Sequence, residues 1–258
     1  MMSALAEVVD RLVRAPTLLV VCEFDGTIAE FVTDPATARP VDGALDILAA
    51  IGSLPLTRAA IISGRSLESL QAVCVGDGDN ACRFGVELIG SDGMEIESQL
   101  TLGLTADARR TQRRLLRAAG QIADAHPGVR VDEKPYGVAL HLRGATATDA
   151  ERAVVRLLDV AQSMPQPVYS QSRSEVLDLS LLPVGQDWAI DVLRQRGDAT
   201  VFYAGNDERA LASLGITDVG CKVGEGCTEA SLHVSTPAEL VRLLAQLCRE
   251  RPLALGAR

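Results

Sequence analysis

Aromatic side chains are scarce in this sequence, at 3% of 258 residues, so any core must be aliphatic. Lysine is scarcer still. Lys134 and Lys222 are the two in the chain, and arginine supplies the rest of the basic charge. Basic residues fall short of acidic ones, for a net charge of -9. That balance argues against nucleic acid, which wants a basic face, and against an anionic membrane surface. No apolar run approaches the roughly 20 residues needed to cross a bilayer. Residues 1–14 read as an amphipathic helix carrying Glu7 and Asp10, not as a signal peptide. The cysteines (Cys22, Cys74, Cys82, Cys221, Cys227 and Cys248) form no C-x-x-C pair. Free structural thiols in a reducing, cytoplasmic setting fit this pattern better than a disulfide framework or a zinc site.

What is present is a hydrophobic content of 47%, ample for one large domain or two medium ones. The organising stretch is Leu18-Leu19-Val20-Val21-Cys22-Glu23-Phe24-Asp25-Gly26-Thr27. Its continuous apolar run fits a strand buried on both faces of a parallel sheet. The polar cluster then falls at the strand's carboxyl end, where open α/β sheets place their ligands. Period 2 puts Glu23 and Asp25 on the same side of the strand. Two carboxylates converging there repel unless a cation lies between them, which suggests Mg²⁺. The plainer alternative is a strand that ends in solvated acids before a glycine turn.

A helical pattern through Ala44, Leu45, Leu48 and Ile51 is followed by a second buried-type strand at residues 59–62. That strand ends at Ser63-Gly64-Arg65, and Ser66 is placed to cap the next helix. Strand–helix–strand alternation implies a doubly wound parallel sheet. Residues 83–89 and 94–96 read as further strands. From about Leu104 the pattern changes to a long helix over 106–125, strands near 129–131 and 138–142, and a helix opened by a capping box at Thr148-Asp149-Ala150-Glu151. Strands near 166–170 and 175–180 follow. This block reads as an α/β domain inserted into the sheet domain. The expected division is a core of residues 1–103 and 175–258 and a cap of residues 104–174. The core pattern resumes with a helix over 187–196, a strand over 200–203 ending at Gly205-Asn206-Asp207, and a last helix opened by Thr236-Pro237-Ala238-Glu239.

Glu23-Phe24-Asp25-Gly26-Thr27, Ser63-Gly64-Arg65 and Gly205-Asn206-Asp207 resemble the ordered motifs of the haloacid dehalogenase superfamily. Further features resemble its trehalose-6-phosphate phosphatase branch. They are Asp34-Pro35, Gly90-Ser91-x-Gly93-x-Glu95, Glu133-Lys134, His141-x-Arg143, Glu175-Val176-x-Asp178-Leu179, and the stretch from Val223-Gly224 to Thr236-Pro237. The likeness runs over about residues 15 to 247. It implies a haloacid-dehalogenase-like core with an inserted cap, and Mg²⁺-dependent hydrolysis of trehalose 6-phosphate or a related sugar phosphate through an aspartyl phosphate. It implies catalytic roles for positions 23 and 25, phosphate binding by Thr27, Ser63, Gly64, Arg65 and position 186, and metal binding by Glu23, Asp25, Asn206 and Asp207. Sugar reading would fall to Glu133, Lys134, His141, Arg143 and Asp178.

The same motifs depart from the family pattern where the chemistry lies. Glu23 stands for the nucleophilic aspartate, Gln186 for the lysine, Asn206 for a metal-binding aspartate and Asp92 for a histidine in the Gly90-Ser91 turn. Glu208 is placed to compensate for Asn206. An ~1 Å misplacement costs ~10²-fold in rate, and a lost transition-state donor ~10²–10³. The sequence therefore supports two readings. One is a sugar phosphatase with an altered centre, in which an arginine such as Arg65 replaces the lysine. The other is a pseudophosphatase that binds a sugar phosphate or docks on a trehalose-phosphate synthase. Individual residues keep structural alternatives: Ser63-Gly64-Arg65 as a helix cap, His141 as a core histidine, and Glu133-Lys134 as a solvated turn.

Overall fold

The structure, a computed structural model, describes residues 4–32, 35–75, 85–96, 104–173, 175–183 and 185–256. Asp34, Arg83 and the expected boundary residues 103 and 174 lie outside that set. The chain begins with α1 (Ala4–Arg14), β1 (Leu18–Glu23), α2 (Ala44–Gly52), β2 (Thr57–Ile62), α3 (Leu67–Val75), β3 (Val86–Gly90) and β4 (Glu95–Ile96). It continues with α4 (Ala106–Ala125), β5 (Arg130–Lys134), β6 (Gly137–His141), α5 (Ala147–Gln162), β7 (Tyr169–Arg173) and β8 (Val176–Ser180). It ends with α6 (Gln186–Gln195), β9 (Thr200–Gly205), α7 (Glu208–Ala212), β10 (Val219–Val223), β11 (Leu232–Val234) and α8 (Pro237–Gly256).

Two compact units result, Met1–Leu100 with Gly185–Arg258, and Thr101–Val184. In the first, seven strands run in the order β11-β10-β9-β1-β2-β3-β4. All described pairings are parallel except β3 with β4. This is the doubly wound sheet expected from the sequence. One face, with Val20, Cys22, Ala204 and Cys221, packs on residues of α1, α2, α3 and α8. The other, with Val21, Ile62 and Tyr203, packs on residues of α6 and α7. Burial on both faces accounts for the unbroken apolar run of β1, each such side chain contributing about 1.5–3 kcal/mol. The chain leaves β1 for β2 on one side and later returns to β9 on the other. The crevice at the carboxyl end of β1 is thus a topological switch point, the usual ligand position in such sheets.

The second unit is a four-stranded antiparallel sheet in the order β5-β6-β8-β7. Val138, Leu140, Leu177 and Leu179 pack on Leu115 and Ala119 of α4 and Leu157 of α5. Two expectations need correction here. The unit ends at Val184 rather than 174, because β8 pairs with β6 and β7 and leaves the sheet of the first unit. The cap of α5 is Thr146, whose Oγ1 accepts the Asp149 N–H at 3.2 Å, not Thr148. The threonine–acid spacing of three is the same two residues earlier, so sequence left the frame ambiguous.

Candidate active site

β1 carries Glu23 to the carboxyl edge of the sheet, and its two carboxylate oxygens are held by different donors. Gln186 Nε2, at the first turn of α6, donates to Oε1 at 2.5 Å. The backbone N–H of Asn206, one residue past β9, donates to Oε2 at 2.5 Å. Gln186 is buried and is itself oriented, since the Tyr203 hydroxyl donates to its Oε1 at 2.8 Å. Buried polar groups satisfied in a chain like this fix one geometry. Tyr203 is a site residue that sequence reading missed. It lies inside an apolar strand, where an aromatic reads as core.

Asp25 has a different partner. Arg65 Nε donates to Oδ2 at 2.8 Å and Nη2 donates to Oδ1 at 2.6 Å, a two-pronged pair. The guanidinium also lies over the Phe24 ring, 5.3 Å from its centroid. A side-chain cation thus pairs with Asp25, where the sequence had suggested Mg²⁺ between Glu23 and Asp25.

Ser63 is buried, and its hydroxyl accepts the Arg65 N–H at 3.1 Å, as in a local turn. At the start of α3, Glu95 Oε2 accepts from the Leu67 N–H at 3.0 Å and from the Ser91 hydroxyl at 2.6 Å. Gly64 is closely approached, since a Cβ there would lie 3.2 Å from Asp92 Oδ2. Asp92 is buried in the left-handed region, φ 56°, at the turn after β3, and Gln186 Nε2 lies 3.5 Å from its Oδ1. Thr27 is fully buried, and its hydroxyl has no hydrogen-bond partner among the described residues.

A Mg²⁺ ion needs near-octahedral oxygen donors, normally with one or two carboxylates. Here both Asp25 oxygens face a guanidinium and both Glu23 oxygens accept N–H donors. Asp207 Oδ1 caps α7, accepting from the N–H groups of Arg209 and Ala210 at 2.9 and 3.1 Å. Asn206 points its amide nitrogen at the Gly26 carbonyl, 3.4 Å away. Glu208 pairs with Lys222. Among the described residues no three Asp, Glu, His or Cys groups are placed to hold an ion. The residues expected as ligands do not fit a resident Mg²⁺ in this arrangement.

In the second unit, register separates two residues that are neighbours in sequence. Glu133 pairs with Val138, on the row whose other members pack under the helices, whereas Lys134, Asp132, His141 and Asp178 lie on alternate rows and share the opposite face. His141 Nε2 lies 2.8 Å from Asp132 Oδ2, a partner that sequence reading did not assign. That hydrogen bond holds the Asp132 carboxyl below its ordinary range, against a smaller opposing effect of burial. Arg143 Nε donates to Glu175 Oε2 at 2.6 Å on the exposed surface.

The fold, with carboxylates at the switch point of a parallel sheet, is that of the haloacid dehalogenase class of phosphatases. A phosphatase of that superfamily from Bacteroides thetaiotaomicron aligns with a TM-score of 0.57 at 14% identity, over 90% of this chain and 95% of that one. The C-terminal domain of Candida albicans trehalose-6-phosphate phosphatase aligns with a TM-score of 0.77 at 16% identity, over 96% and 97%. The model of the trehalose-phosphatase family matches residues 21–170, more than half of the sequence, and the chain belongs to that family. The trehalose-phosphate phosphatase of Mycobacterium ulcerans is 28% identical over 254 residues, covering 91% of this chain. This chain spans 62% of the length of that relative. No helix among the described residues is long and apolar enough to cross a membrane.

Proposed function

We propose that this chain binds the phosphate end of a sugar phosphate, trehalose 6-phosphate or a close relative, and that its hydrolytic chemistry is strongly attenuated. The observation that carries this reading is the pinning of Glu23 between two uncharged donors, Gln186 Nε2 and the Asn206 N–H. A carboxylate that attacks phosphorus must present a free lone pair along the line of attack. Here each oxygen accepts one N–H bond, which fixes the direction of its remaining lone pair and lowers its nucleophilicity, and the donor at position 186 carries no charge to offset the phosphoryl oxygens. Hydrolysis of the ester also needs a proton for the leaving sugar oxygen as the P–O bond breaks. Both Asp25 oxygens are occupied by Arg65, so neither is turned toward a leaving group until that pair opens.

Arg65 is the group best suited to receive the phosphate, since a guanidinium matches phosphate as well as carboxylate geometry. Binding would exchange Asp25 for a phosphate as its partner. The first unit acts as the core domain in this reading. The second acts as the sugar-reading domain, through the polar face bearing Lys134, His141 and Asp178.

The test is phosphate release from trehalose 6-phosphate, with calorimetric binding alongside, for the unmodified protein and for a triple variant, Glu23→Asp, Gln186→Lys, Asn206→Asp. The expected result is binding by both and release at least about 10²-fold faster in the triple variant. Brisk magnesium-dependent turnover by the unmodified protein would overturn attenuation. Absence of binding by the unmodified protein would overturn the sugar-phosphate reading itself.

A further inference from the structure

Phe31 is 68% exposed, whereas Phe24 and Phe202 are fully buried. In a chain with four phenylalanines, a ring left in water is a large apolar surface kept out of the core. Its position follows from the turn after β1. The Phe24 carbonyl accepts from the N–H groups of Thr27, Ile28 and Ala29 at 3.3, 3.1 and 3.0 Å, and the Gly26 N–H donates to the Ala29 carbonyl at 2.8 Å. Ala29 bridges to Asp25 on one side and to Pro40 on the other. The Val41 N–H donates to the Ile28 carbonyl at 2.8 Å. The backbone is thus wound back past Asp25 and fastened before it reaches Phe31.

The ring comes to rest on Gly26. A Cβ at that position would overlap the Cε2 and Cζ atoms of the phenyl group. Gly26 has φ 74°, in the left-handed region. Glycine therefore serves this turn twice: it takes the conformation at no steric cost, and it lets an aromatic ring lie against the backbone. Gly26 follows Asp25 directly, one Cα step of about 3.8 Å. The Gly26 carbonyl faces the Asn206 amide nitrogen at 3.4 Å, and the Asn206 N–H holds Glu23. The ring thus stands beside the backbone that carries both acids, with its contact side on glycine and most of its surface open to solvent.

An exposed apolar residue standing alone on a surface needs no explanation. This one stands at the switch point, where the ligand of such a sheet binds. Covering Gly26 would be served as well by a leucine. What a flat ring adds is a face of negative potential, which suits the weakly positive C–H groups along one side of a pyranose. We propose that Phe31 is a specificity-determining residue of this site, the platform on which the sugar ring next to the phosphate stacks. The inference rests on the sugar-phosphate reading above and adds to it a contact from the first unit. In that reading Arg65 takes the phosphate, and Phe31 reads the alcohol to which the phosphate is attached. A monoester of a pyranose is thus preferred over inorganic phosphate and over a monoester of a short, acyclic alcohol.

The test measures the affinities of trehalose 6-phosphate, glycerol 3-phosphate and inorganic phosphate by calorimetry, beside the thermal midpoint. The proteins are the unmodified chain, Phe31→Ala, Phe31→Leu and Phe31→Trp. The unmodified protein is expected to prefer trehalose 6-phosphate over the other two ligands. Phe31→Ala is expected to weaken trehalose 6-phosphate about tenfold. Phe31→Leu, which keeps an apolar cover on Gly26, is expected to weaken it severalfold, and Phe31→Trp to keep it. Affinity for the other two ligands should stay unchanged in all three variants. A purely structural ring predicts a lower midpoint in Phe31→Ala and the same loss for every ligand, which overturns the proposal. Phe31→Leu decides alone if Phe31→Ala fails to fold. Trehalose 6-phosphate bound equally by the unmodified protein and Phe31→Leu sinks the assignment of Phe31 alone. So does unmodified protein that binds all three ligands alike. Unmodified protein that binds none of them sinks the sugar-phosphate reading together with this inference.

Discussion

Arg65 holds both carboxylate oxygens of Asp25, at 2.8 and 2.6 Å, across 40 residues of sequence. The pair joins the turn after β1 to the turn after β2, and the guanidinium is the less exposed partner at 11%. The positive charge at the switch point is thus covalently part of the chain. Addition of Mg²⁺ to the unmodified protein is expected to leave the thermal midpoint unchanged. A ligand that binds the folded state at 100 times its Kd would stabilise it by about 2.7 kcal/mol, a shift that is easily seen. The double variant Glu23→Asp, Asn206→Asp should gain a magnesium-dependent shift. A clear shift in the unmodified protein would show that the carboxylates rearrange to take the ion.

The phosphate-binding role that the resemblance implied for Thr27 can be tested directly. Its hydroxyl is buried without a hydrogen-bond partner among the described residues, which costs the folded state about 1–3 kcal/mol of desolvation. Thr27→Val keeps the shape and removes the unpaired group. The expected outcome is equal or greater stability in urea, by up to about 1–2 kcal/mol, with phosphate affinity unchanged. Loss of phosphate binding in the valine variant would show that the hydroxyl reaches the ligand.

The Asp132–His141 pair sets a pH dependence in the second unit. The folded carboxyl sits below its usual range, and an unfolded aspartate titrates near pH ~3.9. A depressed carboxyl contributes stability that is present above the unfolded value and lost as pH falls through the folded one. His141→Phe should therefore destabilise the protein at pH 5, and the difference from the unmodified protein should shrink as pH falls below about 4. Urea melts over that window measure it. A difference that stays constant down to pH 2 would mean the loss is packing alone.

Arg251 carries the largest expected stability effect. It is fully buried, and its donors reach Thr57 Oγ1 at 2.7 Å and the carbonyls of Leu12, Val13, Ala15 and Leu56. It fastens α8 to the end of α1, where unpaired carbonyls and the helix dipole favour a cation. Burial pushes its guanidinium below the ordinary value. Arg251→Met leaves several buried acceptors unpaired and is expected to cost about 3–5 kcal/mol, read from equilibrium denaturation.

Sequence disclosed most where one physical rule acted alone. The run from Leu18 to Cys22 is apolar because both faces of β1 are covered, and no other element competes for that pattern. α4 carries a full helical period over 20 residues, and its limits were legible. Partner choice was less legible. Asp207 could cap a helix or bind an ion, and spacing alone does not separate those uses. Glu133 and Lys134 are adjacent in sequence, so the pleat sends them to opposite faces, but which of the two faces the helices is revealed only by the register of β5 against β6. The second unit was expected to end ten residues early because β8 alternates like any half-buried strand, and its sheet partners are not written in its own residues. Tyr203 and Arg251 were missed for a shared reason. Tyr203 is hidden in an apolar strand and Arg251 among the charged residues of α8, and each is satisfied by partners remote in sequence.

The neighbours of β1 are made at very different times. β2 follows it within about forty residues, but β9, on its other edge, begins only at Thr200. During synthesis from the amino end, the strand bearing Glu23 must wait for the stretch up to Thr200 to emerge before its second ladder of backbone bonds can close. Until then it presents a flat, unguarded apolar edge, the kind that pairs with other copies. The middle of the sheet is therefore exposed to aggregation on the ribosome until β9 has emerged, and β9 in turn until β10 follows it.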